Sequence, residues 1–123
     1  MVKEFVSYEQ AVVLKELGFD EECLKWYTAM GRFIEAGKSN QPDYLPFACS
    51  APLKQQVFGW FREKYEYIPH IYIYENLNLY DFDIYGGLAD KYDEYELGNQ
   101  LYNTYEEAEN ACIDKLIELA KSI

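Results

Sequence analysis

Asp81 and Asp83 stand two residues apart, and so do Glu94 and Glu96. At strand spacing, residues two apart project to the same face. If the two strands were neighbours, four carboxylates would converge. Hard cations such as Mg²⁺ and Ca²⁺ take oxygen ligands of this kind, and paired carboxylates can divide acid and base roles. A solvated sheet face gives the same pattern with no chemistry, because alternation sends every second residue to water. The only histidine, His70, follows Pro69 at the start of a strand-like run. A Ser-His-Asp or Cys-His arrangement would have to use it, yet no GxSxG or Cys-His signature is present, and the position suits an ordinary strand-edge histidine. Of the three cysteines, Cys112 reads as helix packing. Cys49 precedes Ser50, a candidate helix cap, where a thiol pKa can be lowered. Cys23 completes an odd, widely spaced set with no CxxC pair, which argues against a zinc site or a disulfide scaffold. The expectation is no catalytic residue, no bound metal and no cofactor.

The acids are concentrated. Between Glu66 and Asp114 lie twelve of them against one base, Lys91, a net of −11 that equals the formal charge of the whole chain. The other ten acids and ten bases cancel. Nine of the thirteen tyrosines fall in the same stretch, among them Tyr72, Tyr74 and Tyr85. Such a surface repels polyanions, and the bases elsewhere are scattered, with Arg62-Glu63-Lys64 half neutralised. Direct nucleic-acid binding, which needs a basic patch, is not expected. Gly86-Gly87 lacks the flanking residues of a phosphate-binding loop.

The elements that position these groups can be read from local signals. A helix begins at Ser7, with Gln10 completing a capping box, and stops at Gly18. Cys23–Thr28 and Arg32–Ala36 form a hairpin around Met30-Gly31, or else a helix, and Gly37–Pro46 is a loop by composition. A second helix opens at Ser50-Ala51-Pro52, with Ser50 as cap and Leu53, Val57, Trp60, Phe61 and Tyr65 on one apolar face. His70–Tyr85 alternates about a turn at Glu75–Asn78 and predicts a hairpin. A third strand follows around Tyr92–Leu97, closed by Gly98-Asn99. The last helix opens at Thr104, with Glu107 completing a second box and Ala108, Ala111, Cys112, Leu116 and Leu119 on its apolar side, with Ile113 and Ile117 beside it. Ser7–Ala11 and Thr104–Ala108 look like a repeat, but the same capping physics produces both.

Three stretches together carry a resemblance. They are Phe5–Ala11 with Leu14–Asp20, then Ser50-Ala51-Pro52-Leu53 leading to Trp60-Phe61-Arg62-Glu63, then Tyr102–Ala108 leading to the amphipathic tail. In that order, over nearly the full length, the chain resembles a group of small proteins from Bacteroides-type bacteria and their phages. The group has no assigned activity. The resemblance therefore implies a mobile-element setting and carries over no catalytic residue.

The sequence thus predicts one globular domain, residues 1–123, of the α+β class: an antiparallel sheet of three to five strands with three helices, in the order α-ββ-α-ββ(β)-α. No apolar run approaches the roughly 20 residues of a membrane helix, and the N-terminus has no signal-peptide core, so a cytoplasmic protein is expected. The expected role is a small acidic binding module without catalysis. Its candidate binding residues are Tyr72, Tyr74, Asp81, Asp83, Tyr85, Glu94 and Glu96, on an exposed sheet face. The expected partner is a protein with a basic surface, or a second copy of the chain. Two alternatives are a nucleic-acid mimic that occupies a host enzyme, and a small divalent-metal enzyme built on the clustered carboxylates.

Overall fold

The computed structural model describes residues 4–39, 49–87, 94–96 and 101–122. The order is α1 (Tyr8–Glu16), β1 (Cys23–Tyr27), β2 (Phe33–Ser39), β3 (Cys49–Ser50), α2 (Lys54–Tyr65), β4 (Ile68–Tyr74), β5 (Leu79–Tyr85), β6 (Glu94–Glu96) and α3 (Tyr105–Lys121). The α+β class and the alternation of helices with hairpins are as the sequence predicts. The strands fall into two antiparallel sheets, β2-β1-β3 and β4-β5-β6. The chain divides into two compact units, Met1–Gln56 and Val57–Ile123, each with one of these sheets.

In the first unit, α1 starts as its sequence dictates. The Ser7 N–H donates to Gln10 Oε1 (3.0 Å) and the Gln10 N–H donates to Ser7 Oγ (3.1 Å), which satisfies two orphan donors of the first turn. The helix ends in a Schellman pair: the Gly18 N–H donates to the Lys15 carbonyl and the Phe19 N–H to the Leu14 carbonyl. Of the two readings of Cys23–Ala36, the hairpin is the one adopted, with β1 and β2 in antiparallel register. Gly37–Ser39, expected in a loop, extends β2; the rest of that loop lies outside the described residues. Tyr27 is buried in this unit and its hydroxyl donates to the Val6 carbonyl (2.7 Å). Its ring meets Tyr8 and Phe33 at 5.6 and 5.4 Å.

The start of α2 departs from the sequence reading. Ser50 does not cap it. Ser50 lies in β3 opposite Trp26, the Ala51 N–H donates to the Lys25 carbonyl, and the Pro52 carbonyl accepts from the Val6 N–H. The helix begins only at Lys54. Pairing with distant backbone satisfied these groups first, so the local capping signal had nothing left to satisfy.

The second unit packs α3 and the aromatic side of α2's later turns into its core. Val57, Phe58, Trp60 and Phe61 are buried, with Trp60 edge-on to Phe61 at 5.0 Å. Tyr65 stacks flat on Tyr67 at 5.8 Å. The buried side of α3 is Ala108, Cys112, Ile113, Leu116, Ile117 and Ala120, with Glu109 buried beside them. That stripe is rotated towards Ile113 and Ile117, which the sequence reading placed beside the apolar side, and Ala111 and Leu119 are only half-buried. Thr104 caps α3 by accepting from the Glu107 N–H (3.1 Å), but Glu107 accepts from the Asn103 N–H (3.0 Å), one residue earlier than a regular box. In the sheet, Phe82 and Ile84 are buried on one face of β5, and Phe82 stacks on Tyr102 at 6.1 Å. Of the predicted third strand, Glu94–Glu96 forms β6; Tyr92, Asp93, Leu97 and the Gly98-Asn99 stop lie outside the described residues. Among the described residues no helix is long and apolar enough to cross a membrane.

Candidate functional site

The register of the second sheet decides which candidate residues meet. In an antiparallel pair, directly opposed residues share a face. β4 opposes Tyr72 to Asp81, His70 to Asp83 and Ile68 to Tyr85. β6 opposes Glu96 to Asp83 and Glu94 to Tyr85. The sequence candidates therefore converge on one face: Tyr72 and Tyr74 on the first strand, Asp81, Asp83 and Tyr85 on the second, with Glu94 and Glu96 at register positions of the third.

Hydrogen bonds tie this face together. The Tyr72 hydroxyl lies 3.5 Å from Asp81 Oδ2 and 3.5 Å from Asp83 Oδ1, a long donation shared between two carboxylates. The Tyr85 hydroxyl donates to Asp83 Oδ2 at 3.2 Å. The Tyr72 ring is edge-on to Tyr74 at 5.5 Å and tilted against His70 at 5.4 Å. Burial, joined by the Tyr74 hydroxyl and the two aspartates, holds the Tyr72 phenol well above the ordinary tyrosine range. It is a neutral donor at any physiological pH.

One expectation is corrected here. Asp81 is not on open surface; it is 5% exposed. Its Oδ1 accepts from the Phe82 N–H at 2.7 Å, and Tyr72 lies over the other oxygen. Alternation placed Asp81 on the right face, but the phenol that covers it comes from another strand. Asp83 and Tyr85 are half-buried and Tyr74 is exposed. The tyrosines of the acidic half thus divide. Tyr80 and Tyr102 pack near the start of α3, Tyr80 edge-on to Tyr105 at 6.1 Å, while Tyr72, Tyr74 and Tyr85 form the acidic face.

Among the described residues no three His, Cys, Asp or Glu side chains gather to hold a metal ion. The two aspartates are engaged by hydroxyl and backbone donors instead. His70 is exposed and lies against a tyrosine ring.

Sequence reasoning missed a cavity of about 330 Å³ in the first unit. Phe5, Leu24, Ala51 and Leu53 make it mainly apolar, with Cys23 and Gln56 in the wall. The Gln56 amide is spent within that wall: Nε2 donates to the Glu22 carbonyl (2.8 Å) and Oε1 accepts from the Cys23 thiol (3.8 Å). These residues come from three separate segments, so no local motif marks the cavity.

The thiols are not poised for nucleophilic attack. Cys49 sits in β3 rather than before a helix, and burial raises its pKa. Burial pushes Cys23 up to about 11 and raises Cys112 further. A disulfide-exchange reagent at pH 8 is therefore expected to leave all three thiols largely unmodified in the folded protein, with Cys23 in the cavity wall reacting first. Stoichiometric reaction of Cys49 at the rate of a free thiol would contradict this assignment.

Comparison with known proteins gives no match: no protein-family model, no curated protein and no solved structure is similar to the chain.

Proposed function

We infer that the protein is a non-enzymatic binding module whose acidic tyrosine face docks a protein with a basic surface. One observation carries this reading: Tyr72, Tyr74, Asp83 and Tyr85 share a face around Asp81, on a sheet whose three strands contain no lysine or arginine. Tyrosine supplies large amphipathic area at low entropy cost, and cations sit favourably over its ring. The carboxylates add long-range attraction for a basic partner. The engagement of both aspartates by protein donors weighs against the metal-enzyme alternative.

The test is capture of partners from a host lysate by the tagged protein at roughly 50 mM and 500 mM salt, between which the range of surface electrostatics falls several-fold. Capture of a basic protein at low salt only, reduced about tenfold by Asp83→Lys, is the expected result. A partner held equally at both salts and unaffected by Asp83→Lys would refute the charge-driven reading. DNA added as competitor separates out the narrower reading of a phosphate mimic. Burial of Asp81 removes one carboxylate from any phosphate-like row, so DNA is expected not to displace the partner.

A further inference from the structure

β4 is a seven-residue strand, Ile68–Tyr74, at the edge of its sheet, and among the described residues nothing pairs with its outer side. Soluble proteins protect such edges with short strands, bulges or charged side chains, because open N–H and C=O groups recruit another strand. β4 is neither short, bulged nor charged, and a single proline, Pro69, is its one edge protection among the described residues. Its pairing with β5 runs unbroken from Ile68–Tyr85 to Tyr74–Leu79, and its sequence, IPHIYIY, holds no Lys, Arg, Asp or Glu. Ile68, Ile73 and Tyr74 are 45, 38 and 42% exposed. Pro69 costs one donor, which an edge strand tolerates.

The surroundings state what chemistry fits. Exposed Glu66 and Glu75 bracket the strand, and Asp81 and Asp83 lie one strand inward on the tyrosine face. An added strand would sit about 4.8 Å from β4. Every second residue of it would lie beside His70, Tyr72 and Tyr74, with the half-buried Asp83, opposite His70, within reach of a long cationic side chain. The residues between would lie beside Ile71 and Ile73. A second copy is the wrong occupant: two-fold pairing would join two strands that hold no lysine or arginine and set two acidic tyrosine faces side by side, so no base would meet the carboxylates.

We propose that β4 is a strand-addition edge that takes up an extended segment of the partner in which lysine or arginine alternates with β-branched residues. This rests on the basic-partner reading above and specifies its mode. Main-chain hydrogen bonds supply affinity, and the alternating side chains supply specificity.

The probe is the capped peptide Lys-Val-Lys-Val-Lys-Val-Lys, titrated into the full chain at low salt by calorimetry. Two further versions are methylated on the backbone nitrogen, one at every valine and the other at every lysine. In an added strand only one of these sets of N–H groups faces β4. The expected result is that the parent binds, one methylated version binds at least tenfold more weakly, and the other binds nearly as the parent does. Hydrogen exchange of β4 amides then slows with the parent peptide. If both methylated versions bind as well as the parent, strand addition is overturned while the basic-partner reading stands. Failure of the parent itself to bind overturns both, as does equal binding of the Glu-Val-Glu-Val-Glu-Val-Glu peptide. A dimer of the free chain in sedimentation, broken by Ile73→Lys, would make the occupant a second copy and overturn the choice of partner.

Discussion

Gly87→Ala is expected to destabilise the protein by about 2–5 kcal/mol, a large share of the roughly 5–15 kcal/mol that holds a domain of this size together. Gly87 has φ +145°, and a Cβ there would lie 2.5 Å from Tyr67 Cε1. Tyr67 cannot step aside, because it is buried and stacked flat on Tyr65. Gly86 repeats the problem against backbone: φ is +74°, and its Cβ would meet the Glu66 carbonyl oxygen at 2.8 Å. This glycine pair closes the end of β5 tightly over the turn that leads into β4, so the substitution strikes where the acidic face is assembled. Gly59→Ala should do the opposite. Gly59 lies inside α2, and its Cβ would make only an ordinary 3.5 Å contact with Arg62. Replacing a mid-helix glycine there gains about 0.5–1 kcal/mol. Glu66→Gly should also gain, because Glu66 holds φ +61°, a left-handed conformation that costs other residues about 1–2 kcal/mol. Thermal melts of the three variants check the signs together. Each 1 kcal/mol is worth roughly 4 °C at this length. A melting temperature for Gly87→Ala equal to that of the parent would show that the turn is not built as described.

How much of this could be read from the chain depended on whether the deciding partner was local. The Ser7–Gln10 box and the Gly18 stop involve groups within a few residues of each other, and both form. The β4–β5 hairpin was legible because alternation and a short polar turn fix its register, and the register is what brings Tyr72 to Asp81 and Asp83. What failed was long-range. Ser50 looked like a cap until Trp26 and Lys25, more than twenty residues earlier, took the backbone around it. Period-two spacing put Asp81 on the correct face, but nothing in the sequence said that Tyr72 would close over it while leaving Asp83 half-open. The shared donor is a property of two strands in register, and a pattern along one strand does not contain it.

Raising the pH from 8 to 11 is expected to unfold the protein, and the cause is titration of buried neutral groups rather than repulsion alone. Every resolved shift has the same sign. Tyr72, Tyr27 and Tyr102 are raised above the tyrosine value, and Cys23, Cys49 and Cys112 above the thiol value, with burial the first cause in each case. A group whose folded pKa is raised stabilises the fold fully below its unfolded pKa and loses that contribution as pH climbs through the folded one. For Cys23 the window runs from 9.0 to about 11. The tyrosines begin to withdraw theirs above about pH 10. In 0.5 M salt, where surface repulsion is screened, circular dichroism should still show a cooperative loss of structure in this window. Tyrosinate absorbance should rise in step with it, because burial, joined by the Tyr74 hydroxyl and the two aspartates, raises the Tyr72 pKa in the folded protein. Tyr72→Phe isolates the effect. Its hydroxyl contacts are long, so stability at pH 7 should change by less than about 1 kcal/mol, while the alkaline midpoint moves upward because one ionisation that opposes folding is gone. If the midpoint stayed where it was, or salt abolished the transition, the alkaline lability would belong to the net charge of −11 rather than to the phenol held between Asp81 and Asp83.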